Sequence, residues 1–184
     1  YFILLSSRTI VSIFYAVEDL GLFSLANNVA QAAVMILSVI NFMFFPKILN
    51  RMKTGSIEND VKPLLSKIRD YYVTSSNLIV ILVLLLYPLL LLFLKGYESS
   101  SSSFLFLILT QLIIVNSYGY SNLIIAKGYE TKIALYAFFT VIINVIISLF
   151  LVILFKLDYH YVAFATLLSV NYYTFSVGRF GRKL

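Results

Sequence analysis

The residues best suited to chemistry in this chain are one arginine and a set of amides inside long apolar runs. Arg8 lies well inside the first run, with Thr9 beside it and Ser12 one turn on. A charge at that depth in a membrane is costly and usually functional. Facing an aqueous cavity, Arg8 supplies a fixed positive charge suited to a phosphate or pyrophosphate. The alternative is that its long side chain snorkels to the membrane edge.

Side-chain amides recur at helical spacing in the other apolar runs. Amides are costly in lipid, so they point at neighbouring helices or at water. Hydrogen bonds that hold helices together are one interpretation, and a hydrated cavity is the other. The second run favours the cavity, because Ser24, Asn27, Gln31, Ser38 and Asn41 fall in one stripe. Adding one amide face in each of two later runs, the substrate-path candidates are Arg8, Asn27, Gln31, Asn41, Gln111, Asn122 and Asn144.

Residues for enzyme catalysis are scarce. The chain has no Cys, and its one His, His160, falls in a short predicted loop beside Asp158. Glu18 and Asp19 are adjacent, and neighbours along a helix do not face each other as paired catalytic carboxylates would. No metalloprotease, hydrolase or phosphate-loop motif occurs. We therefore predict no catalytic residue, no metal site and no cofactor.

Composition indicates the elements that must position these groups. The chain has 184 residues, of which 61% are hydrophobic and 12% are charged, and the charges gather in islands between apolar runs. A bilayer core of about 30 Å needs about 20 apolar helical residues. We predict an all-α polytopic membrane helical bundle with six spans, since strand alternation is absent. The predicted spans are 1–17, 21–45, 72–94, 103–126, 131–155 and 160–178.

The distribution of Lys and Arg predicts the orientation of the bundle. If the loop after the second span faces the cytoplasm, eleven basic residues lie on that side and two on the other. Basic residues favour the cytoplasmic side of a membrane. We therefore expect a multi-pass protein of the cytoplasmic (inner) membrane with both ends of the chain inside. The same assignment explains the net charge of +6 without nucleic acid as a partner.

The polar segment 47–70 is the long connection of the chain. It follows Pro46, which we take as the end of the second span, and its apolar residues recur at helical spacing. This pattern predicts a short amphipathic helix on the inner membrane surface. The chain starts at Tyr1 with an apolar run, so we expect it to be part of a longer protein.

Four short motifs together resemble the polysaccharide flippases, in the superfamily that also holds the multidrug and toxic compound exporters and the lipid II flippases. The first is EDLGLFSLANNVA at 18–30, which resembles the outer turn and start of a second helix. The second is FPKILNRM at 45–52, which resembles the close of that helix and a basic loop. A later helix with a central Asn at 127–151 and VAFATLLS at 162–169 complete the set.

This resemblance implies a fold and a function. The chain would be one lobe of a two-lobe transporter, most simply the second, with the other lobe of the same protein as its partner. It would pass a lipid-linked oligosaccharide from the inner to the outer leaflet by alternating access, within membrane lipid. Coupling to H⁺ or Na⁺ would require a site outside the residues identified here. Arg8 matches a first-helix position where such flippases place cavity-facing charge.

Other functions fit the same residues less well and stay open. A drug or metabolite exporter of the same fold would be distinguished by an acidic cation site. An integral membrane enzyme of polysaccharide biosynthesis would need clusters of His, Asp, Glu or Arg, of which Arg8 and His160 are the nearest candidates. An assembly scaffold without transport is the third alternative.

Overall fold

The computed structural model describes residues 2–54 and 62–184, with side chains given for only part of the stretch from 36 to 65. The described residues form helices and turns, and no strand occurs among them. The predicted all-α helical bundle is confirmed. Its helices are α1 Phe2–Phe14, α2 Val17–Thr54, α3 Lys62–Phe93, α4 Ser101–Val115, α5 Tyr120–Ala126, α6 Glu130–Leu149 and α7 His160–Lys183. A 3₁₀ turn at Glu98–Ser100 precedes α4, and a π-helical turn at Phe150–Leu154 extends α6.

Three helices of the described part are long and apolar enough to cross a membrane: Ser66–Phe93, Glu98–Val115 and Glu130–Leu154. On α3, Leu78, Leu85 and Leu92 repeat every seven residues and are all exposed. Such a stripe of large apolar side chains is costly in water and suits lipid. The chain is therefore a membrane protein. Helix α1 is apolar but shorter, and membrane crossing by α1, α2 and α7 stays a prediction.

Helix α7 lies in the middle of the bundle, packed mainly against α4 and α6 and also against α1 and α5. This position explains why its sequence is the least apolar of the predicted spans. Thr166 and Ser169 are fully buried, and each hydroxyl donates to a carbonyl of its own helix. The neighbouring helices cover one side of α7, where small and polar residues let them approach closely, while Leu168, Tyr172 and Phe175 on its other side are exposed.

Helix α2 continues beyond the predicted end of its span. It runs through Pro46 to Thr54. A proline removes one backbone hydrogen bond from a helix, but membrane helices tolerate it where neighbouring groups compensate. The predicted amphipathic helix over 47–70 divides between the end of α2 and the start of α3, and residues 55–61 lie outside the described part.

The predicted span 103–126 is not one continuous helix. Helix α4 ends at Val115, and α5 starts at Tyr120 after a turn. In the turn, the backbone N–H groups of Asn116 and Tyr118 donate to carbonyls three residues earlier, at 3.1 and 3.0 Å. Gly119, which immediately precedes α5, has φ +83°, a backbone conformation that glycine adopts readily and that residues with a side chain rarely adopt. The turn separates Gln111 from Asn122, which the sequence analysis placed on one face.

Candidate functional site

An open-sided cavity of about 470 Å³ is lined by residues of α1, α2 and α4. Gln31 of α2 and Gln111 of α4, both predicted from the sequence, line it together with Asn28. The structure thus brings two of the predicted residues together and adds a third amide. We call this space the amide cavity. Its other lining residues are apolar: Leu4, Ala32, Val34, Met35 and Ile114.

The amide cavity has the composition of a binding site. A few polar groups on mostly apolar walls are typical of sites that orient a ligand by hydrogen bonds. Each glutamine or asparagine side chain can both donate and accept, so the cavity suits a neutral ligand with several hydroxyl or amide groups. Its lining residues carry no acid, base or nucleophile. The chemistry that it supports is binding.

The stripe predicted along α2 divides between buried and accessible positions. Asn27 is 3% exposed, and its Oδ1 atom has no hydrogen-bond partner among the described residues. Its neighbour Asn28 is exposed and lines the amide cavity. Asn41 belongs to α2, but its side chain lies outside the described part. The helix turns by about 100° per residue, so adjacent asparagines meet different surroundings.

Arg8 lies on the exposed surface of α1 and forms no hydrogen bond or ion pair with any described residue. Thr9 and Ser12, also exposed, bond only to carbonyls of their own helix. Leu4, one turn before Arg8, lines the amide cavity. Residues four apart share a helix face, so Arg8 extends the face of α1 that borders the cavity.

Asn144 occupies a different environment, at the centre of the contact between α1, α6 and α7. It is fully buried, and its Nδ2 donates to Ser7 Oγ at 2.8 Å and to Ser6 Oγ at 3.0 Å. The Ser7 hydroxyl is in turn 2.7 Å from that of Thr166 on α7. This network joins three helices through buried polar groups. Its geometry is that of interhelical hydrogen bonding, the alternative that the sequence analysis left open for each amide.

Replacement of Asn144 with alanine is expected to lower the free energy of unfolding by about 1–2 kcal/mol, because it removes the hydrogen bonds that Asn144 donates to α1 and leaves the serines of α1 with fewer partners. Thermal unfolding of the full chain in detergent measures the effect. Asn171→Ala is the matched control, since Asn171 is exposed and bonds only within its helix, to the Leu167 carbonyl at 2.8 Å. Equal losses in the two variants would contradict a special role for the network.

Asn122 lies in the short helix α5, 5% exposed. It does not line the amide cavity. Of the predicted substrate-path residues, the structure therefore places Gln31 and Gln111 at one cavity and Arg8 along the same face. Gln111 is itself only 7% exposed, and Asn27, Asn122 and Asn144 are buried among helices away from this cavity.

The sequence analysis missed a second cavity, of about 440 Å³, at the end of the bundle where α1 meets α2. Asp19, Asp158 and His160 line it, although the sequence analysis considered Asp19 and His160 separately and assigned neither a role. The His160 Nε2 atom lies 4.0 Å from Asp158 Oδ2. The predicted orientation places both loops on one side of the membrane, which was the signal that could have grouped them.

Two tyrosines hold the loops around this second cavity. The Tyr15 hydroxyl donates to the Leu157 carbonyl, and the Tyr159 hydroxyl donates to the Ser99 carbonyl at 2.9 Å. Burial raises the pKa of the Tyr159 hydroxyl above the ordinary tyrosine value, and the nearby carboxylates of Asp19 and Asp158 raise it further. Tyr159 therefore remains a neutral hydrogen-bond donor at physiological pH.

Among the described residues, no three His, Cys, Asp or Glu side chains are grouped so that they could hold a metal ion. The amide cavity is the candidate functional site because it brings Gln31 and Gln111 together. Comparison with protein-family models, with curated proteins and with solved structures returns no match for this chain.

Proposed function

We propose that this chain is one lobe of a transporter that flips a lipid-linked oligosaccharide across the cytoplasmic membrane by alternating access. The glycan would be a repeat unit for polysaccharide biosynthesis of the cell envelope, such as the O-antigen of lipopolysaccharide. The observation that carries the proposal is the amide cavity, where Gln31 and Gln111 meet in an open-sided space among membrane helices.

The surroundings of the cavity support an aqueous path. Exposed amides are unfavourable against lipid, so the face that carries Asn28 and Gln31 is expected to border water or further protein. The exposed Arg8, Thr9 and Ser12 of α1 add polar groups that avoid lipid for the same reason. A water-filled cavity between this lobe and a second lobe would place both sets of polar side chains against water instead of lipid.

The ligand class follows from the groups on this face. Amides exchange hydrogen bonds with sugar hydroxyls without needing a charge. The Arg8 guanidinium suits the diphosphate that links a glycan to its lipid carrier. The apolar walls of the cavity, including Met35 and Ile114, suit the carrier chain.

Cysteine labelling of the full chain tests the proposal. The sequence contains no cysteine, so each introduced thiol is the only one in the chain. Gln31→Cys and Gln111→Cys are expected to react with a membrane-impermeant maleimide, and added lipid-linked oligosaccharide is expected to slow the reaction. Water reaches an open cavity, and a bound ligand covers its walls.

Asn27→Cys is the control for labelling, because Asn27 is 3% exposed on the same helix as Gln31 and does not line the cavity, whereas Gln111, at 7% exposed, does. It is expected to stay unreactive with or without the glycan. Labelling at Gln31 and Gln111 that the lipid-linked oligosaccharide does not slow, but that a cationic drug does, would overturn the flippase in favour of an exporter. Unreactive thiols at both positions would overturn an aqueous path through this cavity.

A further inference from the structure

A third cavity, of about 270 Å³, lies at the end of the bundle where α3 begins and α7 ends. Arg69 of α3, Tyr120 of α5 and Arg182 of α7 line it, with Ser66. We call it the arginine cavity. It shares no lining residue with the amide cavity and is not part of the proposed path.

Arg69 is held in place by an aromatic ring. Its Nη1 atom donates to the Tyr120 hydroxyl at 3.1 Å, and its guanidinium carbon lies 4.9 Å from the centre of that ring. The Nε atom is buried and has no acceptor among the described residues. A guanidinium has several N–H donors in a fixed fork, so most of those on Arg69 remain available. Arg69 is therefore held in one orientation while most of its N–H donors have no acceptor among the described residues.

Arg182 brings a second positive charge to the same cavity. Its Nε donates to the Gly178 carbonyl at 3.2 Å, and the terminal nitrogens form no bond with a described residue. Neither arginine forms an ion pair within the described part of the chain. Two like charges at one cavity repel each other, and an anion between them would relieve that repulsion.

Close helix contacts fix the shape of the arginine cavity. A Cβ atom on Gly119 would lie 3.5 Å from Arg69 Cβ, so the turn before α5 packs directly on the arginine stem. A Cβ atom on Gly181 would lie only 2.7 Å from the Cβ atom of Tyr120, the residue that orients Arg69. The two arginines are thus presented by packed helices, not by a loop.

We propose that Arg69 and Arg182 bind the phosphate group of an anionic lipid at this end of the bundle. Guanidinium groups form paired hydrogen bonds with phosphate oxygens, and the Ser66 hydroxyl can add another. The cavity, of about 270 Å³, is open on one side and has room for a phosphate headgroup between the two arginines. The predicted orientation places this end at the cytoplasmic surface, where anionic lipids attract basic side chains.

Native mass spectrometry of the full chain, released from nanodiscs of defined lipid, tests this site. The nanodiscs contain phosphatidylcholine with either phosphatidylglycerol or undecaprenyl diphosphate. Wild type is expected to retain the anionic lipid, and Arg69→Gln and Arg182→Gln are each expected to retain it about tenfold less, as for the loss of a charged hydrogen bond. Because Arg182 is exposed, its replacement is not expected to impair folding.

Arg179→Gln is the matched control, since it removes the same charge from the same helix but from a residue outside the arginine cavity. It is expected to retain lipid as wild type does. Equal losses in Arg179→Gln and Arg182→Gln would overturn the site in favour of diffuse attraction, as would full retention by Arg69→Gln and Arg182→Gln.

The two lipids distinguish the sources of the phosphate. Retention of phosphatidylglycerol identifies a membrane headgroup, and retention of undecaprenyl diphosphate alone identifies the glycan carrier. Inorganic phosphate is a third probe: displacement of retained lipid supports recognition of the phosphate itself. Binding of inorganic phosphate with no lipid retained in either nanodisc would overturn the proposal. None of these outcomes depends on transport through the amide cavity.

Discussion

Replacing Gly181 with alanine is expected to destabilise the bundle by about 1–3 kcal/mol, the usual effect of adding a methyl group to a packed contact. The new Cβ atom would lie 2.7 Å from Tyr120 Cβ and 2.9 Å from Cδ1 of the same ring. Cβ is fixed to the backbone of α5, so no side-chain rotation relieves the overlap. Helices α5 and α7 would have to separate.

Gly178→Ala is the matched control for Gly181→Ala, one helical turn earlier on α7. A Cβ atom at Gly178 meets nothing within 4 Å, so the added methyl group has space. Alanine is favoured over glycine in a helix by about 1 kcal/mol, and the stability is expected to stay level or to rise. Thermal unfolding in detergent compares the two variants. A loss of stability in Gly178→Ala as large as that in Gly181→Ala would contradict the prediction. It would mean that α7 needs glycine at both positions for a reason other than the contact with Tyr120.

Arg8→Ala is expected to reduce glycan export about tenfold or more while the amount of protein in the membrane stays normal. The side chain is exposed and bonds to no described residue, so its removal takes no hydrogen bond from the described part of the chain. Under the proposed function it loses charge-assisted bonds to the diphosphate of the substrate, each of which contributes about 1.5–3 kcal/mol. Surface display of the glycan, normalised to protein level, measures the effect.

Arg8→Lys separates charge from geometry. Lysine keeps the positive charge but lacks the paired donors of arginine, so it is expected to restore export in part. Ser12→Ala is the neutral control on the same exposed face of α1, since the Ser12 hydroxyl bonds only to the Thr9 carbonyl at 2.8 Å. Full export by Arg8→Ala would assign the arginine to snorkelling at the membrane edge.

The helical class and the membrane environment could be read from the sequence because both depend on local composition. Long apolar runs require helices in lipid, where each backbone group must be paired within its own segment. The break after Val115 was not predicted, because a hydropathy pattern records apolar length and not backbone conformation. The feature of the sequence that indicates this break is a short polar stretch ending on a glycine, at Ser117, Tyr118 and Gly119.

The candidate site was predictable in part. Hydropathy identified the amides as costly groups, but it could not distinguish Gln31 at a cavity from Asn144 inside a hydrogen-bond network. That difference depends on which helix covers each face. The serines of α1 reach Asn144 across more than 130 residues of chain. The spacing of amides within one helix contains no information about such distant partners.

The cost of placing backbone and amide groups in lipid depends only on residue type, so the sequence alone predicts an all-helical membrane chain with few polar groups inside its apolar runs. The direction in which those groups point depends on how the helices pack. The tertiary structure grouped Gln31 with Gln111, enclosed Asn144 between three helices, and placed Arg69 and Arg182 at one cavity. The physical reason is that burial and hydrogen bonding of a side chain depend on the helices packed against it, and those helices are distant in the chain.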